Sequence, residues 1–347
     1  MKRTIPFVLM IVLVSGLIFD ICAKSTAEAI SAADFYKKNI VTMVVGFSPG
    51  GGSDYAARLL ASYWPEVTNG GVMVIKNMGG AGGLTATNYV NSAKPDGLTV
   101  GFGMFPSAYL MPVLTKDPAV RYDAKKLQWL VGVFNEPWTI HISTKRPYET
   151  VEDLKKAKGL IFPTLSPVGG ATISEAFFID ILGLDAKIVT GYKTGGEQVL
   201  AAGKGEADIT AVPAAVGLDG MNKGFVKPPV VIMGRKRLDA FPGTPAFPEL
   251  VKFTSEQEAQ FNRAYVASYV SRVGAVPPGV PEDRVKFMRD AFAKILAMKG
   301  FAEKSKSFFP LGPTPMIGEE LNAFMKEAFS INIDPVNAQI RKYLSIK

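Results

Sequence analysis

"VVGFSPGGGSD", Val44 to Asp54, is an apolar run that ends in three consecutive glycines, a serine and an acid able to start a helix. Strand-to-helix turns of this kind hold anions, because bare backbone N–H groups and the positive end of the helix dipole meet at one point. Spacing excludes the nucleotide versions. A phosphate-binding P-loop needs Gly-Lys-Ser/Thr after its last glycine, and the dinucleotide turn needs G-x-G-x-x-G; Gly50-Gly51-Gly52-Ser53-Asp54 supplies neither. Asp54 reads as a cap of its own helix, where a negative charge in the first turn is favourable. The alternative is that the glycines only let the helix pack close to the strand.

Outward from this turn, strand and helix patterns alternate. Apolar runs at Val41–Phe47, Gly71–Lys76 and Leu98–Gly103 are separated by helical stretches, the pattern of parallel α/β units. Ala56, Leu59, Leu60, Tyr63 and Trp64 share one face of the first helix, and Lys94-Pro95-Asp96-Gly97 turns the chain into the strand at Leu98. Beyond about Phe134 a second α/β set begins, with strands near Thr139–Ser143, Gly159–Leu165 and Ala207–Val212. It carries its own turn, "SPVGGAT" (Ser166–Thr172), which repeats Ser48, Pro49, Gly51 and Gly52 as Ser166, Pro167, Gly169 and Gly170. The tail returns to helices: one starting at Pro281, striped by Val285, Met288, Phe292 and Ile295 and closed by Lys299-Gly300, and a last one over 317–329 burying Leu321, Phe324, Met325 and Ala328.

The 347 residues are 48% hydrophobic and 20% charged, enough for two cores and contrary to disorder. Residues 1–29 read as a cleaved secretory signal: Lys2 and Arg3, an apolar run from Ile5 to Phe19, then Ala27-Glu28-Ala29. The run is short for a membrane span. Cleavage at Ala29 removes Cys22, the one cysteine, and with it disulfides, zinc-thiolate sites and cysteine nucleophiles. It also removes a net charge of +1 from the total of +8, leaving a mature chain of +7 whose basic residues are scattered. That balance suits anionic partners through long-range attraction, and no basic run resembles a nucleic-acid patch.

Acid–base and nucleophilic chemistry usually includes histidine. The single one, His141, sits in the alternating strand "WTIHIST" and reads as structural or superficial. No H-E-x-x-H, G-x-S-x-G or clustered carboxylate pattern appears, so no catalytic residue, metal or cofactor is expected. Two turns rich in N–H donors, one per lobe, instead suit a carboxylate clamped in an interdomain cleft, with Ser48, Ser53, Thr164, Ser166 and Thr172 adding hydroxyls.

"GFSPGGGSDYAARLLA", "KNMGGAGGLTATNYVNSAKPDGLTVGFG" (Lys76–Gly103), "GYKTGGEQVLAAGKGEAD" (Gly191–Asp208) and "SRVGAVPPGVPEDRV" (Ser271–Val285) occur in an order that resembles the Bug-type periplasmic substrate-binding proteins of tripartite tricarboxylate transporters. The likeness runs from about Ile40 to Phe329. It implies an α/β, two-lobed periplasmic-binding-protein fold of the Venus-flytrap type II class, with lobe 1 made of 30–133 and 254–347, lobe 2 of 134–253, and a ligand cleft between them. First-lobe contacts are implied at Phe47, Ser48, Gly50, Gly51 and Ser53, with Phe105 lining the cleft. Second-lobe contacts are implied at Thr164, Ser166, Gly169, Gly170 and Thr172, with Tyr192, Val212 and Pro213 nearby. Pro167, Val168 and Ala171 depart from the usual glycine- and serine-rich loop, and "KNMGG" stands where an acid, asparagine, arginine and proline are usual. The implied function is a monomeric periplasmic receptor that carries a di- or tricarboxylate, acidic amino acid or aromatic carboxylate to membrane permease subunits. An extracytoplasmic enzyme acting on an anionic substrate and a ligand-sensing module remain as alternatives.

Overall fold

The computed structural model describes residues 30–344 apart from 105–108, 115, 166, 168, 169, 271, 331 and 333. The expected signal segment and the candidate residues Phe105, Ser166 and Gly169 lie outside the described residues. Along the chain run α1 (Ala32–Lys38), β1 (Ile40–Val45), α2 (Gly52–Val67), β2 (Val72–Asn77), α3 (Leu84–Asn91), β3 (Thr99–Phe102) and β4 (Gln128–Val133). Then come β5 (Trp138–Ser143), α4 (Val151–Lys156), β6 (Leu160–Thr164), α5 (Gly170–Leu182), β7 (Ala186–Thr190), α6 (Gly195–Lys204), β8 (Ile209–Pro213), α7 (Ala214–Asn222) and β9 (Val226–Met233). The remainder holds α8 (Ser255–Tyr269), β10 (Arg272–Val276), α9 (Glu282–Ala297), α10 (Lys299–Ser305), β11 (Met316–Ile317), α11 (Glu319–Ala328) and α12 (Asp334–Tyr343).

The first sheet has the order β11-β4-β10-β3-β1-β2. β1 runs parallel to β2 and β3, with Val45 opposite both Asn77 and Phe102, so three strands finish side by side just ahead of glycine segments. That is the end of a parallel sheet at which ligands bind. The apolar stripe of α2 is buried as its spacing requires: Ala56, Leu59, Leu60, Tyr63 and Trp64 pack on this sheet, and Trp64 meets Phe292 of α9 at 5.7 Å. Each large side chain buried there contributes about 1.5–3 kcal/mol.

The second lobe has strands β8-β5-β9 and β6-β7, and Asp208 joins the two groups. Its N–H donates to the Ile161 carbonyl at 3.0 Å, its Oδ2 accepts from the Ile161 N–H at 2.7 Å, and Arg146 donates to its other oxygen. A separate core of Ile140, Phe162, Phe177, Phe178, Phe247 and Phe261 fills this lobe. The chain passes between lobes through 134–137 and again ahead of β10. The Glu136 N–H donates to the Tyr269 carbonyl at 3.2 Å and Trp138 Nε1 to the Ser268 carbonyl at 2.8 Å, which ties the two passages together.

Three expectations about the tail change. Lys299-Gly300 does not close a helix; Met298, in extended backbone, ends α9 and caps α10, which starts at Lys299. Gly300 is there for packing, since a Cβ on it would stand 3.0 Å from the Tyr63 hydroxyl. The last helix is α12, beyond the expected 317–329. It packs on the second lobe, where Ile340 joins that core, the Tyr343 hydroxyl donates to Asp180 at 2.6 Å and Leu344 bridges to Ile188. Helix α8 serves both cores, with Phe261, Ala264 and Ala267 in one and Val266, followed by Val270 just past the helix, in the other. The segment 254–347 is therefore not packed on lobe 1 alone.

His141 is structural. It is fully buried, its Nδ1 donates to the Lys227 carbonyl at 2.9 Å, and its Nε2 is left to accept from the Thr139 hydroxyl at 2.8 Å.

Candidate functional site

Asp54 organises the first glycine turn. Its carboxylate is buried and accepts from the Gly50 N–H at 2.9 Å, from Arg58 Nε at 3.0 Å and from Asn77 Nδ2 at 2.9 Å. Burial works against its charge, but the bonds from Arg58, Gly50 and Asn77 outweigh it and hold the carboxyl below the usual carboxylate range. Asn77 also donates to the Phe47 carbonyl at 3.0 Å, so the end of β2 braces the exit of β1. Asp54 lies in the first turn of α2 as expected, but the helix is capped at Gly51 with no side-chain cap bond, and the carboxylate reaches back to the Gly50 N–H instead. The consequence for Gly50 is that its N–H is spent inside the protein, and its φ of +85° explains the glycine without a ligand.

Gly51 differs. Its backbone is ordinary extended chain (φ −82°, ψ 171°), and a Cβ built on it would meet only the Ser48 carbonyl oxygen, at 3.8 Å. Neither conformation nor packing demands glycine there, and the position opens onto free space at the N-terminus of the 16-residue helix α2. Ser48 is exposed beside it, Phe47 is half-buried on the core, and Ser53 donates to the Gly103 carbonyl at 3.3 Å. Gly103 thus brings the end of β3 against the same turn.

Among the second-turn candidates, the described residues are Thr164, Gly170 and Thr172. Gly170 begins α5, but a Cβ on it would lie 2.7 Å from the Ala267 carbonyl oxygen, so α8 requires the glycine for packing. Thr164 and Thr172 are fully buried and joined hydroxyl to hydroxyl at 2.9 Å. Val212 is buried; Pro213 is half-buried and caps α7; Tyr192 is half-buried with its N–H donating to the Thr164 carbonyl at 3.3 Å. Gly170→Ala is expected to destabilise the fold by about 1–3 kcal/mol through overpacking while the folded fraction still binds ligand. Thermal melting beside titration checks it: a variant that melts like the parent but no longer binds reverses the assignment of Gly170 to packing.

Two residues not singled out in the sequence complete the picture. Glu136 is buried on the first passage between lobes, and its Oε2 accepts from the Ala215 N–H at 2.7 Å, at the start of α7. Burial raises its carboxyl, while the Arg272 charge and the Ala215 N–H pull it back. Arg272 opens β10 after the second passage; its guanidinium lies over the Phe309 ring at 4.4 Å and beside Gly52, where a Cβ would stand 3.0 Å from Nη2. The structure thus brings together the Phe47–Ser53 turn, Arg272, Glu136 and the Pro213–Ala215 helix start. It buries the Thr164–Thr172 pair and leaves Gly170 half-buried against α8. The available signals were an acid in "FNEPW" and an arginine in "SRVGAV", each inside an apolar run.

The family described as the tripartite tricarboxylate transporter family receptor matches residues 58–330. The chain belongs to this family. Among its relatives, BugT of Bordetella pertussis (strain Tohama I) is 29% identical over 230 residues, which are 63% of this chain and 68% of BugT. A TctC solute-binding protein from Polaromonas superposes with a TM-score of 0.70 at 18% identity, covering 88% of this chain and 99% of that one. R. palustris Rpa4515, solved with adipate, superposes with a TM-score of 0.65 at 18% identity, covering 88% and 98%. These likenesses establish the two-lobed fold for this receptor. No helix among the described residues is long and apolar enough to cross a membrane.

Proposed function

We propose that this receptor binds an organic carboxylate in the cleft between its lobes, in the periplasm, and passes it to the permease subunits of a tripartite tricarboxylate-type transporter without transforming it. The lobes we assign are 30–133 with most of the tail, and 134–253 with α12; export by a cleaved signal at 1–29 and a monomeric state belong to the same reading. The observation that carries it is Gly51: a glycine that the protein itself does not need, facing open space where backbone N–H groups of a helix start can receive an oxyanion. Two observations support the class of ligand. Rpa4515 has been solved with adipate, a dicarboxylate, and the basic balance of this chain favours anions. Di- and tricarboxylates, acidic amino acids and aromatic carboxylates are the candidates. Closure would remove water from charge-assisted hydrogen bonds, which strengthens them.

A ligand that binds only the folded form adds about 2.7 kcal/mol at 100 times its dissociation constant. A thermal-shift panel of carboxylates, each beside its neutral amide, is expected to give upward shifts confined to carboxylates. A panel in which no carboxylate moves the melting temperature overturns the reading.

A further inference from the structure

Arg272 stands in an unusual place for a strand-opening arginine. Its Cα pairs with Val133 across β4, and its side chain reaches under the start of α2. There the guanidinium lies over one aromatic ring, Phe309, at 4.4 Å, and Phe308 borders the same glycine, where a Cβ built on Gly52 would be 3.2 Å from its Cε1. Phe308 in turn stacks on Tyr55 at 4.9 Å, and Phe309 on Phe134 at 3.8 Å, so the ring that faces the guanidinium is itself held in place. A cation held against a ring and out of bulk water is screened weakly, and its field reaches the neighbouring helix start.

We propose that Arg272 is the specificity-determining residue of this cleft: its guanidinium faces the carboxylate that the Gly51–Gly52 helix start receives, and Glu136 opposes it, setting how much positive charge the ligand meets. This rests on the carboxylate-receptor reading. The two side chains come from the two passages between lobes, and they feel each other electrostatically. Glu136 is anchored by the Ala215 N–H at the start of α7, so it is held in the cleft wall rather than free to swing onto the ligand site. Discrimination between a carboxylate and its isosteric amide then comes from a side-chain charge in addition to backbone N–H groups. Arg rather than Lys suits this work because its planar fork can stack on a ring and still present donors at its edge.

The two residues make predictions of opposite sign. Taking the tightest carboxylate from the panel and its neutral amide as probes, Arg272→Met is expected to weaken carboxylate binding about 10- to 100-fold and leave the amide within about twofold. Glu136→Gln is expected to tighten the carboxylate about two- to tenfold, again with the amide unchanged, because it removes a negative charge while keeping an acceptor for Ala215. Calorimetric titration of both probes against parent and both variants reads the ratio, which a general loosening of the cleft would not move. If Arg272→Met is poorly folded, the double variant Arg272→Met/Glu136→Gln, which leaves no unpaired buried charge, carries the test. An unchanged carboxylate-to-amide ratio in the arginine variants, or loss of both probes together, overturns the role of Arg272 while the receptor reading stands. Failure of the parent to bind any carboxylate is the separate outcome that removes both.

Discussion

Gly51→Val is expected to abolish ligand binding, by more than about 100-fold, in a protein that still folds. The loss has a steric origin. Two methyl groups would enter the space in front of the α2 start, where ligand oxygens must approach to within hydrogen-bond distance of backbone N–H groups. A bond to a charged partner is worth about 1.5–3 kcal/mol, so losing two of them removes two or more decades of affinity. The fold should tolerate the change: the backbone at Gly51 lies in a region open to branched residues, and the nearest atom to a new Cβ is the Ser48 carbonyl oxygen at 3.8 Å. The stripe of α2 is untouched, and the network of Asp54 with Gly50, Arg58 and Asn77 continues to hold the turn. Replacing glycine at a helix cap by an apolar residue costs about 1 kcal/mol. Titration calorimetry with the tightest panel ligand, and circular dichroism on the same samples, decide the matter; parental affinity in the variant would mean that the open space at Gly51 is not where the ligand sits. Gly52 cannot serve as the test residue, because its side would press on Arg272 and the effect on binding would have two causes.

The contrast among these glycines shows how far the sequence could be read. Local patterns gave the strands that end at Val45, Asn77 and Phe102, the stripe of α2 and the repeated glycine turn, because each rests on periodicity or on residues a few positions apart. The two turns looked equivalent as sequence. At the paired positions that the structure describes they stay alike, since a Cβ on Gly52 would press on Arg272 and Phe308 and one on Gly170 on Ala267, almost a hundred positions later; Gly51 has no such neighbour, and its counterpart Gly169 lies outside the described residues. Gly50 offers no N–H to a ligand because Asp54 takes it, a contact between near neighbours that was read only as a helix cap. Arg272, Glu136 and Asn77 escaped notice for the same reason as the packing of α12 on the second lobe. Their roles arise where the chain returns to itself, and no spacing rule marks such meetings. The exit of α9 was misjudged differently: Gly300 is a helix residue packed under Tyr63, not a stop.

Acid is expected to cost the folded protein about 3 kcal/mol through His141 alone. Burial is the main cause of a pKa lowered from 6.5 to about 4, with the Lys227 carbonyl opposing it. The unfolded chain takes up a proton as pH falls through 6.5, but the folded chain refuses it until about pH 4. Between these values the unfolded state binds more protons, so the stability is fully present above pH 6.5 and is lost as pH falls towards 4; at about 1.4 kcal/mol per unit the window gives the stated total. Helix α7 makes the refusal firm, since a Cβ at Gly217 would stand 2.1 Å from His141 Nε2 and no space remains for water to solvate a cation. Glu175 works in the other direction. It is fully buried near the start of α5, and burial raises its pKa well above the ordinary carboxyl value, with the Ala211 backbone N–H opposing the shift. Its folded form keeps a proton that the unfolded form gives up, so its contribution falls as pH rises from the ordinary carboxyl value towards the raised one. The parent's acid profile mixes the two, and variants separate them. Denaturant unfolding at pH 7 and at pH 4.5 is expected to show a smaller acid loss for His141→Gln than for the parent and a larger one for Glu175→Gln. Equal losses in parent and His141→Gln would mean that the imidazole is protonated in the folded state, and the burial argument for it would fail.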